Sequence, residues 1–328
     1  MAHGNAAEPI LRIRDLSVTF PTPAGPSRAV RGMNLDVVAG EAVAVVGESG
    51  SGKSVTMLAT LGLLPKAQVT GSAMFRGTEL IGASTDTLRS VRGRKISMVF
   101  QDPMTSLNPV LTIGRQLALV MKAHDASLGK KELRARAVEL LEQVAIPQAD
   151  RRVDAYPHEL SGGMRQRVMI AMAIANKPDV LIADEPTTAL DVTVQAQIME
   201  LLTDLRREHG LAMVLITHDL GVVAGHTERV AVMYAGRVVE RAQVREMFAA
   251  PQHPYSRALL ECLPRLDQRE PLGAIPGTPP NPVDLPPGCP FAPRCTMAVP
   301  SCAVDEPALV EWRGGDIACD VVTAGVVS

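Results

Sequence analysis

Ala42-Val43-Ala44-Val45-Val46-Gly47-Glu48-Ser49-Gly50-Ser51-Gly52-Lys53-Ser54 sets the fold class of this chain. The first five residues are too continuously apolar for a half-exposed strand and read as a central parallel strand, covered on both faces. The next eight fit G-x-x-x-x-G-K-[ST] at every fixed position. A helix is expected from Lys53 to about Leu64, where Pro65 stops it. Strand, glycine-rich loop and helix in that order are the setting in which a phosphate-binding loop works. Backbone N–H groups from Ser49 to Ser54, Ser51 among them, can wrap phosphates at the positive end of that helix. Gly47, Gly50 and Gly52 supply the fixed or permissive backbone positions. In this pattern Lys53 reaches the β- and γ-phosphates and Ser54 ligates Mg²⁺.

Working outward, Leu11–Phe20 alternates apolar and polar residues and reads as a strand, Pro21–Pro26 as a turn-rich break, and Met33–Val38 as a second strand. Val180-Leu181-Ile182-Ala183-Asp184-Glu185 is an apolar strand ending in two carboxylates. Behind a phosphate loop, Asp184 helps hold Mg²⁺ and Glu185 is left to polarise an attacking water. Met213–Ile216 is another buried strand, followed by Thr217-His218-Asp219. Val230–Met233 and Val238–Glu240 flank Ala235-Gly236 as a hairpin. Lys131–Val144 carries Leu133, Val138, Leu141 and Val144 at helical spacing.

Between the phosphate loop and the carboxylates stands Leu160-Ser161-Gly162-Gly163-Met164-Arg165-Gln166. With its neighbours, this turn resembles the signature of the ABC ATPases, and six motifs follow that family's order over roughly residues 10 to 240. The resemblance implies an α/β fold: a P-loop NTPase core with a helical subdomain, followed by a small, loop-rich, Cys-containing C-terminal module. The expected boundaries are a nucleotide-binding domain at 1–245, its helical subdomain at about 102–160, and the module at 246–328. ATP and Mg²⁺ are the implied ligands. Gln101 becomes the glutamine that contacts Mg²⁺ and the attacking water, His218 the switch histidine at the γ-phosphate, and Phe20 the aromatic under adenine. Ser161, Gly162 and Gly163 are expected to close on ATP held by the opposite subunit. Asp191, in Ala189-Leu190-Asp191, is expected to cross that interface. Met164 stands where the family usually has Gln.

Phe100-Gln101-Asp102-Pro103-Met104-Thr105-Ser106-Leu107-Asn108-Pro109, His253-Pro254-Tyr255 and Pro276-Gly277-Thr278-Pro279-Pro280 look like the ATPases of bacterial dipeptide/oligopeptide importers. That branch implies ATP-driven uptake of peptides, with nickel chelates, glutathione or opines as alternative solutes. It implies a second, homologous ATPase subunit, two transmembrane permease subunits and a solute-binding protein as partners.

Composition limits the rivals. Net charge is −2 and the pI near 6.4, which leaves no basic footprint for nucleic acid. The longest apolar run, Val168–Ala175, has eight residues, against about 18 for a bilayer span. Met1–Pro9 lacks a basic segment followed by an apolar one, so no secretory signal is read. The chain is expected at the cytoplasmic face of the inner membrane, peripherally, through its partners. Chromosome-associated ABC ATPases insert long coiled coils between the positions of Gln101 and Ser161. Ribosome-acting ones carry two cassettes in one chain, and exporters often fuse a membrane domain. None of these patterns is present. An iron–sulfur sensor using ATP as a switch is the remaining rival.

All five cysteines lie in the last quarter. Cys289, Cys295, Cys302 and Cys319 run C-x5-C-x6-C-x16-C. Clustered cysteines in a reducing compartment are metal ligands more often than disulfides. Four thiolates suit zinc or an iron–sulfur cluster, and the tight C-x2–4-C pair usual for structural zinc is missing. The resemblance implies a [4Fe–4S] cluster, with zinc as the alternative. Cys262, in the apolar stretch Ala258–Cys262, is expected to be a core residue.

Overall fold

A computed structural model describes residues 8–188, 190–263 and 275–325. Strands and helices are numbered in chain order, β1–β12 and α1–α12. The chain parts into two compact units. One comprises Met1–Val38, Ala42–Gly82 and Ile216–Ser328; the other comprises Ala39–Glu41 and Ala83–Leu215.

The first unit contains a four-stranded antiparallel sheet in the order β2-β1-β4-β5, from β1 (Pro9–Thr22), β2 (Gly25–Val38), β4 (Gln68–Phe75) and β5 (Thr78–Glu79). The break expected at Pro21–Pro26 shrinks to Pro23-Ala24, because β1 and β2 pair out to Thr22 and Gly25 and the Thr22 hydroxyl donates to the Gly25 carbonyl (2.7 Å). The same unit holds β3 (Ala42–Val46), every residue of which is buried. It runs parallel to β9 (Arg229–Tyr234), which turns antiparallel into β10 (Arg237–Gln243). Beyond β10 lie β12 (Gly315–Ile317) and β11 (Val310–Trp312). Helix α1 (Lys53–Thr60) ends before the expected Leu64: Gly62, with φ of 61°, takes the left-handed turn and closes the helix, and Pro65 plays no part.

The segment after β10 is part of this unit. Helices α10 (Val244–Ala249) and α11 (Pro254–Glu261) and the tail from Ile275 pack onto β3 and β9. One apolar cluster combines Ala44, Val46, Val230, Val232 and Tyr234 with Met247, Tyr255 and Phe291. Cys262 is only half-buried, short of the core place expected from its apolar neighbours.

The second unit holds three sheet strands in the order β8-β7-β6: β6 (Ile96–Val99), β7 (Val180–Asp184) and β8 (Ala212–Thr217), whose last two residues carry the chain into the first unit. β6 and β7 are parallel. The helical stretch expected at about 102–160 contains α3 (Pro103–Ser106), α4 (Ile113–Lys122), α5 (Lys130–Gln143) and α6 (Ala149–Arg152). Leu133, Ala137, Leu140 and Leu141 form the buried stripe of α5. Buried Gln116 of α4 pins the preceding loop: it accepts from the Asn108 N–H (2.8 Å) and donates to the Asn108 and Leu111 carbonyls (both 3.0 Å). Helix α7 (Gly162–Ile174) and the long α8 (Val192–His209) complete the unit. None of the described helices is long and apolar enough to cross a membrane.

Candidate functional site

The phosphate loop lies in the first unit, between β3 and α1. Two of its three glycines, Gly47 and Gly52, are required by close approach. A Cβ on Gly47 would lie 2.2 Å from the Met233 carbonyl oxygen, and one on Gly52 2.4 Å from that of Ala29. Lys53 is only 4% exposed, and its ammonium donates to the loop's own Gly47 (2.7 Å) and Glu48 (3.0 Å) carbonyls. That pose curls the lysine over the loop, where a phosphate oxygen can take over the same donors. Ser51 donates its N–H to the Glu48 carbonyl (3.2 Å), and the β9–β10 turn reaches in through the Gly236 N–H to the Ser51 carbonyl (3.0 Å). Ser49 and Gly50 lie on the exposed side of the loop, and Ser54 is half-buried at the start of α1. Glycine-enforced curvature, clustered N–H groups, the Lys53 ammonium and the Ser54 hydroxyl make a donor set that fits a triphosphate with its Mg²⁺.

Phe20 and His218 share this unit. Phe20 is half-buried near the tip of the β1–β2 hairpin, opposite Ser27. His218 is exposed just past β8, beside Asp219, which caps α9 (Leu220–Val223) by accepting the Gly221 N–H (2.7 Å).

The second unit gathers the other candidates. Asp184 is buried at the end of β7. Glu185 follows in the left-handed region with φ of 45°, a conformation a non-glycine residue adopts rarely and which recurs at functional sites. Its carboxylate accepts from Gln101 Nε2 (2.9 Å) and from the Thr188 hydroxyl (2.9 Å). The structure thus brings Gln101 to Glu185, a pairing that spacing alone does not give. Ser161 caps α7 by accepting the Met164 N–H (3.3 Å), which leaves the Ser161-Gly162 corner exposed. A Cβ on Gly163 would meet Val194 at 2.8 Å, so the signature turn packs on the start of α8. Asp191 caps that helix through the Val194 N–H (3.0 Å). Ala189, the first residue of that expected motif, lies outside the described residues.

Sequence reading missed how the C-terminal motifs are used. Tyr255 accepts the Glu48 N–H at its hydroxyl (2.9 Å). His253 is wholly buried; its Nδ1 accepts the Tyr255 N–H (3.1 Å) and its ring hydrogen-bonds the backbone of Ala318, next to Cys319. Burial pushes the imidazole down to about 4. Glu240, also buried, accepts the Gln252 and His253 N–H groups (both 2.8 Å), and burial raises its carboxyl above the usual range. The aromatic spacing of these motifs was the available signal: the chain has only three Tyr and five Phe, and Tyr234, Tyr255 and Phe291 meet with ring centres 4.6–5.3 Å apart.

The four tail cysteines are free, half-buried thiols. Burial pushes the Cys289 thiol up to about 11 and raises Cys295 and Cys319, with the other cysteines adding to the shift. Backbone N–H groups oppose it: those of Phe291 and Ala292 at Cys289, Met297 at Cys295, and Val321 and Val322 at Cys319. Among the described residues no three His, Cys, Asp or Glu side chains close on a point that could hold a metal ion.

Strand, phosphate loop, helix and a carboxylate-tipped strand define a P-loop nucleotide-binding protein. Residues 30–188 match the ABC transporter family, and residues 239–302 match the oligopeptide/dipeptide transporter C-terminal region. The oligopeptide transport ATP-binding protein OppD of Haemophilus influenzae is 51% identical over 311 residues, covering 94% of this chain and 96% of that protein. OppD of Mycobacterium tuberculosis is 54% identical over 92% of this chain, which spans only 50% of that longer protein. Among solved structures, the dimeric, ADP- and phosphate-bound ATP-binding cassette MJ0796 is 34% identical with a TM-score of 0.64, over 72% of this chain and 99% of that one. The chain belongs to the ABC transporter ATP-binding proteins of the oligopeptide/dipeptide branch.

Proposed function

We propose that this chain is the ATP-hydrolysing subunit of a peptide importer at the cytoplasmic face of the inner membrane. The observation that carries this reading is the match to oligopeptide transport ATP-binding proteins through both the cassette and the C-terminal region. In this reading the loop from Gly47 to Ser54 holds the phosphates. Ser54, Asp184 and Gln101 hold Mg²⁺, which supplies charge neutralisation at the transferred phosphoryl group. Glu185 orients and deprotonates the attacking water, and the Gln101 amide and Thr188 hydroxyl fix its carboxylate. His218 contacts the γ-phosphate and Phe20 stacks on adenine. Exposed Ser161, Gly162 and Asp191, with half-buried Gly163, serve the ATP of a second, homologous ATPase subunit. Two permeases and a solute-binding protein complete the assembly, with di- or oligopeptides as cargo. Nickel chelates, glutathione and opines are the alternative cargoes.

A [4Fe–4S] cluster on Cys289, Cys295, Cys302 and Cys319 belongs to the same reading. Supporting it are the C-x5-C-x6-C-x16-C spacing, four half-buried free thiols, backbone N–H donors beside three of them, and a loop-rich segment with little core of its own. Zinc is the alternative. Visible absorbance and iron content of anaerobically purified protein decide between them; colourless, zinc-loaded protein rejects the cluster.

Replacing Glu185 with Gln tests the catalytic assignment. Turnover should fall by about 10²–10⁴ while ATP binding persists. Undiminished hydrolysis would overturn it.

A further inference from the structure

Glu48 occupies a variable position of the phosphate-loop pattern, so the motif itself gives its side chain no task. The structure gives it several contacts. Its carbonyl accepts from Lys53 and Ser51, its N–H donates to Tyr255, and its carboxylate takes both arms of Arg294 (2.6 and 2.8 Å). One residue therefore faces the nucleotide lysine through its backbone and the C-terminal tail through its side chain.

Arg294 is built into this position. It is 7% exposed, and all five of its guanidinium N–H donors have an acceptor. Nε donates to the Pro276 carbonyl (2.8 Å), Nη1 to Glu48 and the Tyr234 hydroxyl (3.2 Å), and Nη2 to Glu48 and the Ile275 carbonyl (3.4 Å). The Tyr234 and Phe291 rings lie 5.8 and 6.0 Å from its centre. A planar fork with five bonds is a site that lysine cannot reproduce. On the other side of the loop the Arg28 N–H donates to the Pro282 carbonyl (3.0 Å), so the tail also holds the β1–β2 hairpin beneath Gly52.

We propose that Arg294 is a positioning residue for ATP: it holds the Glu48 carboxylate against the tail, away from the triphosphate, and so fixes the loop in its phosphate-binding form. Without Arg294 the loop would carry a loose anion beside three phosphates, and like charges at that range repel. Tyr255 contributes by fixing the Glu48 backbone. The effect falls on nucleotide affinity, because neither side chain is placed at the reacting atoms.

This inference rests on ATP being the ligand of the loop. The test therefore reads equilibrium binding of Mg-ATP to the full-length chain through a fluorescent ATP analogue and competition, with steady-state turnover alongside. Arg294→Met should weaken Mg-ATP binding about tenfold, with kcat changed much less than KM. Arg294→Lys should fall between that variant and the wild type. The double variant Glu48→Gln/Arg294→Met should recover most of the loss, since the loose anion is gone. If Arg294→Met does not fold, Tyr255→Phe, which keeps the ring and removes the acceptor, should still weaken binding about threefold. Wild-type affinity in soluble Arg294→Met, or in Tyr255→Phe if that is the variant that folds, overturns the proposal. So does a fall in kcat at unchanged affinity, or a double variant no better than Arg294→Met. Failure of the import reading shows differently, as absent peptide transport with this affinity pattern intact.

Discussion

The helical stretch from Ile113 to Arg152 and the tail from Ile275 to Gly325 are built in opposite ways. The helices carry their own apolar stripes and meet one another through them, as α5 does with Leu133, Ala137, Leu140 and Leu141. The tail has two three-residue strands, two short 3-10 turns and one four-residue α-helix, and its order comes from what it holds. Phe291 enters the core formed by β3 and β9, Arg294 grips Glu48, and the segment at Ala318 is held by His253. A region with a hydrophobic period can fold from its own pattern. A region without one must borrow a core, and this one borrows it from the strand that leads into the phosphate loop.

The largest effect expected comes from cutting each region at its core. Phe291→Ala should cost about 3–5 kcal/mol and Leu141→Ala about 2–5 kcal/mol, by urea denaturation of the first transition. The two should differ in ATP binding: Phe291→Ala removes a ring beneath Arg294 and should weaken it, whereas Leu141→Ala should leave it unchanged. A tail that is only an appendage would show no loss of stability in Phe291→Ala.

A smaller effect should appear with pH. The folded chain keeps His253 neutral down to about 4, whereas in the unfolded chain it protonates near 6.5. The unfolded state therefore binds more protons between those values, and stability falls as pH drops through that window, by at most about 1.4 kcal/mol per pH unit. Glu240 acts in the opposite sense, since its raised carboxyl favours the folded state at low pH. His253→Asn should remove the histidine part of the slope and leave the Glu240 part, seen as a flatter midpoint-against-pH plot between pH 4 and 6.5. An unchanged slope would separate His253 from the tail's stability.

Buried strands such as Ala42–Val46 and Val180–Asp184, and the helix at Lys130–Gln143, announce themselves by continuous or periodic apolar residues. The phosphate loop does so by glycines whose Cβ atoms would strike Met233 and Ala29. The stop of α1 at Gly62 is hidden in the sequence behind Pro65, the louder signal. The pairing of Gln101 with Glu185 depends on two segments 84 residues apart, and no local pattern carries it. The tail was legible as motifs and cysteine spacing but not as a clamp. Arg294 and Glu48 are 246 residues apart, and each looks locally like an ordinary surface charge.

If the tail and the phosphate loop are one mechanical piece, loss of Arg294 loosens the loop, and amide hydrogen exchange of wild type and Arg294→Met tests this most directly. Exchange from Gly47 to Lys53 should be faster in the variant, with α5 protected equally in both proteins. Equal protection of the loop in the two proteins would contradict it.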